Sequence, residues 1–349
     1  MHESVRVALV VPLQGSAGMY GPSCELCADL AVMQLNAADG LLGREVSLRV
    51  VDGGRDPGAV ADEVDRLLRA DHIDAVVGWH ISAVRDVVAP RIASRVPYVF
   101  TALYEGGLHQ PEVLFTGETP DAQVVPALHW MAREFGTRRW SVVGNDYAWP
   151  RRSVVATRAG ARAAGIDILD EVFVPLGTTD FGPALRQIER ADSEGVLMFL
   201  VGTDAVEFNR QFAEAGLETR WQRLTPLMDE NMLMASGASA TRDLYTAAGY
   251  FEALPTADNL RFSADFVSSF GVEAPVLNSV GESCYEGMQL LSTLVERAQS
   301  IALPEVMAAA ERLTYCGPRG RIDVRNGRVH QNVYIAAPSD LEYDVLASL

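Results

Sequence analysis

The sequence predicts an α/β fold made of two similar three-layer αβα lobes with mainly parallel sheets, joined by hinge crossovers. Three observations lead there. Short β-branched runs alternate with amphipathic helical stretches along nearly all of the 349 residues. The alternation runs to Thr116 and begins again at Asp121. Several strand-like runs are continuously apolar, as expected of parallel strands covered on both faces. A chain of this length also exceeds one ordinary core and suits two domains of roughly 150 residues.

The elements follow in order. Val5–Val11 reads as a buried strand. Ser23–Asn36 reads as a helix, with Leu26, Leu30, Met33 and Leu35 forming an approximate stripe before Gly40 and Gly43 break the chain. Val46–Val51 is a second strand. Asp56-Pro57 opens a helix to Leu68, with proline in the first turn, where its missing N–H is tolerated. Ala75–Gly78 is a third strand, Ser82 caps a helix over Ala83–Ser94, and Pro97–Phe100 and Val113–Thr116 are further strands. The second round places helices at Asp121–Phe135, Pro150–Ala164, Phe181–Ala191 and Asp204–Ala215. Its strands are Trp140–Val143, Ile166–Val174, Val196–Val201 and Arg223–Leu227, with Gly165 and Gly216 as helix stops. After Leu244–Tyr250 come helices at Asn259–Phe270, Ser279–Ala298 and Pro304–Leu313. The tail returns to strands, Arg321–Val324 and Val329–Ala336, around the Asn326-Gly327 hairpin turn. Right-handed crossovers give each lobe helices on both faces of its sheet. A ligand then belongs at the carboxyl ends of the strands, between the lobes.

Composition narrows the function. Hydrophobic residues make up 48% and charged residues 21%, a globular balance. The net charge of −17 opposes direct contact with nucleic-acid phosphates. No apolar run reaches the roughly 20 residues of a membrane span. Cys24 and Cys27 form a lone CxxC without the second pair or histidines of a zinc site, so four buried reduced thiols, with Cys284 and Cys316, are expected. There is no Gly-x-Ser-x-Gly elbow, no phosphate-binding loop and no His-Glu-x-x-His. Gly15, Gly18 and Gly21 depart from the dinucleotide fingerprint in spacing and loop length. No catalytic residue, cofactor or metal is expected.

The loops after the strands carry the candidate ligand groups. Gly78-Trp79-His80-Ile81-Ser82 places a hydroxyl at a helix N-terminus, where it serves a ligand oxygen or simply caps the helix. Phe100-Thr101-Ala102-Leu103-Tyr104 offers an aromatic face beside a hydroxyl. Tyr147 and Trp149 bring apolar bodies with polar tips. Thr203 and Thr225 each add a hydroxyl in a later loop. Asp229 and Glu230 are able to hold a ligand ammonium, or are solvated acids at a helix start.

Taken together, these words resemble a family. Asn36-Ala37-Ala38-Asp39-Gly40-Leu41-Leu42-Gly43-Arg44 looks like the Asn-x-x-Gly-Gly-x-x-Gly-Arg turn of type I periplasmic binding proteins for branched-chain amino acids, urea and amides, with Asp39 where Gly is usual. Gly78-x-x-x-Ser82 matches their carboxyl or amide loop. Leu103-Tyr104-Glu105-Gly106, Gly144–Arg151, Val201–Thr203 and Leu224-Thr225 are similar to the cytoplasmic amide sensors of aliphatic amidase operons, whose homologues accompany nitrile hydratase genes. The resemblance implies a pocket of His80, Ser82, Phe100, Ala102, Leu103, Tyr147 and Thr225. Ser82, Tyr147 and Thr225 agree with the family pattern, whereas His80, Phe100, Ala102 and Leu103 depart from it. Fewer hydroxyls imply an amide bulkier or more apolar than acetamide. The resemblance also implies a first lobe of residues 1–118 plus 252–316 and a second of 119–251 plus 317–349.

The function so implied is sensing. The lobes close over a small amide, and a transcription antiterminator or other regulator protein reads the change to control amidase or nitrile hydratase genes. Met1-His2-Glu3-Ser4 supplies none of the features of an export signal, so a cytoplasmic location is expected. A homodimer through first-lobe helices fits the fold, though no specific pattern marks one. The rival reading is a solute receptor of an ABC transporter for an amide, urea or branched-chain amino acid; an amidohydrolase is the remaining one.

Overall fold

The computed structural model describes residues 4–107, 110 and 112–349. The opening Met1-His2-Glu3, which carried the expectation about export, lies outside them. The first run of elements is β1 (Ser4–Val11), α1 (Gly21–Ala37), β2 (Glu45–Asp52), α2 (Pro57–Arg69), β3 (Ala75–Gly78), α3 (Ser82–Ile92), β4 (Tyr98–Phe100) and β5 (Val113–Phe115). The second is α4 (Val124–Glu134), β6 (Arg139–Asn145), α5 (Ala148–Arg162), β7 (Asp167–Val174), α6 (Gly182–Arg190), β8 (Gly195–Phe199), α7 (Thr203–Glu214), β9 (Gln222–Thr225), α8 (Glu230–Ser236) and β10 (Leu244–Ala248). The tail holds α9 (Ala257–Phe270), α10 (Ser279–Ala298), α11 (Leu303–Ala309), β11 (Arg312–Gly317), β12 (Gly320–Arg325), β13 (Arg328–His330), β14 (Tyr334–Ser339) and β15 (Glu342–Ser348).

These elements form two α/β lobes with mostly parallel sheets. Residues 1–103, 109–117 and 255–332 make the first unit; residues 104–108, 118–254 and 333–349 make the second. In the first, an eight-stranded sheet runs β11-β12-β13-β5-β4-β3-β1-β2. β1 pairs in parallel with both β2 and β3, and Val5, Val7, Ala8, Leu9, Val10 and Val11 are wholly buried. Each such valine or leucine contributes roughly 1.5–3 kcal/mol by leaving water. α1 packs on α10 and α2 on α3. Asp56 caps α2, its Oδ1 accepting the Ala59 N–H at 3.1 Å, with Pro57 directly behind.

Gly78 ends β3 beside β1, and a Cβ there would overlap the Val10 carbonyl oxygen. Gly78→Ala is therefore expected to destabilise the protein by roughly 3 kcal/mol, because a backbone atom inside a sheet cannot step aside. Urea unfolding checks this, and a loss under about 1 kcal/mol contradicts such close packing of β3 on β1.

The tail corrects two expectations. Asn326 and Gly327 take φ of 51° and 72°, the left-handed pair a two-residue hairpin turn needs, and Arg325 pairs with Arg328. Yet Val329–Ala336 is not one strand. β13 stops at His330 after pairing with β12 and, through Arg328, with β5, so the hairpin covers the edge of β5 in the first sheet. Residues 317–332 thus belong to the first unit, not to the second as expected. β14 then pairs antiparallel with β10 and β15 in the second sheet. A third correction concerns the thiols: Cys24, Cys27 and Cys284 are buried and outside any disulfide, but Cys316 is exposed.

The second sheet runs β15-β14-β10-β9-β8-β6-β7. Its parallel part repeats the order of the first: β2-β1-β3-β4-β5 in one, β7-β6-β8-β9-β10 in the other. Where such an order reverses, the loops leaving the two strands diverge and open a crevice at their carboxyl ends. The reversal lies between β1 and β3 in the first unit and between β6 and β8 in the second.

Candidate functional site

In the first unit the loop leaving β3 is Trp79-His80-Ile81, and it delivers α3 at the reversal point. His80 is fully buried. Its Nδ1 lies 3.2 Å from the Ile81 carbonyl oxygen and its Nε2 lies 2.8 Å from the Tyr98 hydroxyl. One tautomer satisfies both contacts: Nδ1–H donates to Ile81, and Tyr98 O–H donates to Nε2. Burial lowers the His80 pKa to about 3, with the nearby Arg85 charge adding to the effect. The ring is neutral, and it meets Phe100 edge-on at 5.1 Å. His80 therefore shapes the loop rather than presenting a charge.

Ser82 begins α3, but it is not the cap. The capping position falls on Ile81, at φ −66° and ψ 154°, and no side chain fills it. The Ser82 Oγ is buried and has no hydrogen-bond partner among the described residues. A dry hydroxyl left without a partner costs about 1–3 kcal/mol, and it lies at the amino end of an 11-residue helix, where partial positive charge favours an anionic or carbonyl oxygen.

The next loop divides. Phe100 ends β4 wholly buried, 5.9 Å from the Phe115 ring and 5.1 Å from the Arg85 guanidinium. The Thr101 Oγ1 accepts from Ser283 Oγ at 3.2 Å, so this hydroxyl faces α10. Ala102 is buried against Gly117, and Leu103 is half-buried. Tyr104 belongs to the second unit, where its N–H donates to the Glu118 carbonyl at 2.9 Å.

In the second unit Tyr147 stands half-exposed at the cap position of α5, and Trp149 is buried edge-on against Phe199 at 5.6 Å. The two rings lie 6.3 Å apart. Thr203 is exposed as the first residue of α7, set by Gly202 at φ 53°. Sequence reasoning missed the device that fixes both loops. Asn145 Nδ2 donates to Asp204 Oδ2 at 2.7 Å, and its Oδ1 accepts the Val201 N–H at 2.9 Å. Asp204 Oδ2 also accepts the Gly177 N–H at 2.9 Å. This links the ends of β6 and β8 across the reversal point. The only local signal was an Asn ending an apolar strand.

Thr225 closes on its own turn: its Oγ1 accepts the Leu227 N–H at 3.1 Å and donates to the Leu227 carbonyl at 3.2 Å. Asp229 and Glu230 are not solvated acids. Both are buried. Asp229 Oδ1 caps α8 through the Met232 N–H at 2.8 Å, and its Oδ2 meets no donor among the described residues. Glu230 Oε1 accepts the Glu252 N–H at 2.9 Å. Burial raises Asp229 to about 6; burial, and then the Asp229 charge, raise Glu230 to about 8. Among the described residues no group of His, Cys, Asp or Glu is placed to hold a metal, and no helix is long and apolar enough to cross a membrane.

Two doubly wound lobes, each with polar and aromatic side chains gathered at its strand-order reversal, define a ligand-binding protein. The profile of the family described as periplasmic binding protein matches residues 4–340, and the chain belongs to that family. It is 23% identical over 342 residues to a Leu/Ile/Val-binding protein homologue of Brucella melitensis, covering 95% of this chain and 86% of that one. An ABC-transporter solute binding protein from Rhodopseudomonas palustris BisB5, in complex with 3,4-dihydroxybenzoic acid, gives a TM-score of 0.88 at 23% identity, covering 100% of this chain and 98% of that one. The branched-chain amino acid transporter substrate binding protein LivJ from Streptococcus pneumoniae, in complex with isoleucine, gives 0.84 at 16% identity, with 99% and 98% covered. At such identities these structures speak for the fold.

The relatives correct the expected role. They are named as Leu/Ile/Val-binding proteins and transporter solute receptors, so the reading as an amide sensor acting on amidase or nitrile hydratase genes through an antiterminator is withdrawn. The short motifs that suggested it lie in strand-end loops, and one fold with such loops hosts many functions.

Proposed function

We propose that the protein is a solute receptor of an ABC transporter, binding a small carboxylate-bearing solute, with a branched-chain amino acid foremost, and passing it to a permease. The observation that carries this reading is the buried, unpartnered Ser82 hydroxyl at the amino end of α3. A carboxylate oxygen there accepts the hydroxyl proton and gains from the helix end. The names of the curated relatives support the amino acid, and the solute receptors among the structural neighbours support the transport role.

Ser82→Ala is expected to leave unfolding free energy within about 1 kcal/mol of wild type, since it removes an unsatisfied group, and to weaken solute binding about tenfold. A thermal-shift panel of L-leucine, L-isoleucine, L-valine, benzoates and amides identifies the solute, because a bound ligand stabilises the folded state in proportion to the logarithm of its excess over Kd. If no amino acid or benzoate raises Tm, the reading fails. Cell fractionation tests the transport role: a receptor is recovered outside the cytoplasm.

A further inference from the structure

A cavity lies in the first unit, away from the strand-end loops. Its volume is about 220 Å³. Ala89 and Ile92 of α3 and Val113 of β5 form apolar walls, with Tyr98, Gln110 and Glu112. Tyr98 and Val113 are the first residues of β4 and β5, so the cavity sits at the amino ends of these strands, opposite the end that carries Ser82.

Three features of the walls select an occupant. The Tyr98 hydroxyl is held by His80, so this part of the wall is fixed before anything binds. Glu112 has both oxygens engaged, Oε2 by the Ser94 N–H at 2.7 Å and Oε1 by the Ser94 hydroxyl at 2.8 Å. The Gln110 Oε1 is buried and has no hydrogen-bond partner among the described residues. An unmet carbonyl acceptor beside aliphatic walls fits a ligand with one donor on an apolar body. A cavity of about 150 Å³ with apolar walls takes up benzene, so the size suits a single ring. An anion would face the Glu112 carboxylate, and a charged group of either sign set against the aliphatic walls of Ala89, Ile92 and Val113 would lose its hydration there.

We propose that this cavity is a binding site for a small neutral phenol, its ring against Ala89, Ile92 and Val113 and its hydroxyl donating to Gln110.

The test uses the full chain and 4-fluorophenol, followed by ¹⁹F NMR titration, with fluorobenzene as the control that lacks the donor. Wild type is expected to bind 4-fluorophenol saturably and fluorobenzene about tenfold more weakly. Gln110→Leu removes that difference. Ala89→Phe fills the cavity and abolishes binding of both probes; Ala93→Phe, on the same wall, does so if Ala89→Phe fails to fold. Ser82→Ala leaves the titration unchanged. The proposal is overturned if wild type binds neither probe, if a folded cavity-filling variant still binds, or if Ser82→Ala abolishes the signal and so places the probe at the strand-end loops.

Discussion

Arg319→Met is expected to lower unfolding free energy by roughly 3–5 kcal/mol. Arg319 leaves the turn between β11 and β12 and enters the first unit, where it is 1% exposed. Its Nε donates to Glu282 Oε2 and lies 3.3 Å from Glu286 Oε2, on α10, with Nη2 donating to the Ser279 carbonyl at 3.4 Å. Both carboxylates are as deeply buried as the guanidinium. Without it, two acids one helical turn apart lose their counter-charge in a medium that stabilises neither. Removing all three charges, with Glu282→Gln and Glu286→Gln added, is expected to restore more than half of the loss, because a neutral set no longer leaves an unpaired charge. Urea denaturation of the single and triple variants measures both. A loss under about 1 kcal/mol for Arg319→Met contradicts a buried, mutually dependent ion cluster.

The second large effect is on pH dependence in the other unit. Glu230 carries a pKa raised to about 8 and Asp229 one raised to about 6, chiefly by burial. An acid raised on folding binds its proton more tightly in the native state. Its stabilising contribution is complete below the unfolded pKa near 4 and is lost as pH rises through the native value. Glu230→Gln keeps an acceptor for the Glu252 N–H but cannot ionise. Relative to wild type, this variant is expected to gain roughly 3 kcal/mol between pH 5 and pH 8. His80 bends the wild-type curve the other way. Its native pKa of about 3 lies below the unfolded value, so stability falls as pH drops below about 6.5. The variant-minus-wild-type difference cancels that limb. Parallel curves for the two proteins would mean that Glu230 is open to water.

What was legible in the sequence was local. Ala75–Gly78 is β3 to the residue, and the apolar run Val5–Val11 lies within β1, because a covered parallel strand writes its burial as an unbroken apolar run. Asp56-Pro57 and Asn326-Gly327 announced a helix start and a turn through backbone chemistry that acts within a few residues. The tail was harder. Pro304–Leu313 reads as one helix, but α11 ends at Ala309 and Arg312 already pairs in β11. β15 went unseen because an edge strand with Glu342 and Asp344 facing water resembles a loop. The site split the same way. Ser82 was legible as a residue at a helix start, yet its value lies in the extended Ile81 taking the cap position and leaving the hydroxyl unused. Thr225 closes on Leu227, two residues on, a turn that its own sequence could have suggested. The Asn145–Asp204 link and the Arg319 cluster join residues 59 and 37 positions apart, and no local pattern encodes such pairs.

The central claim is that this chain binds a small carboxylate through the amino end of α3. Calorimetric titration of L-leucine, L-isoleucine and L-valine into wild type and Ser82→Ala tests it most directly. The account predicts one-to-one binding of at least one of the three, weakened about tenfold in the variant while its unfolding midpoint holds. Equal affinity in the two proteins, or no heat from any of the three alongside tight binding of an uncharged amide, would contradict it.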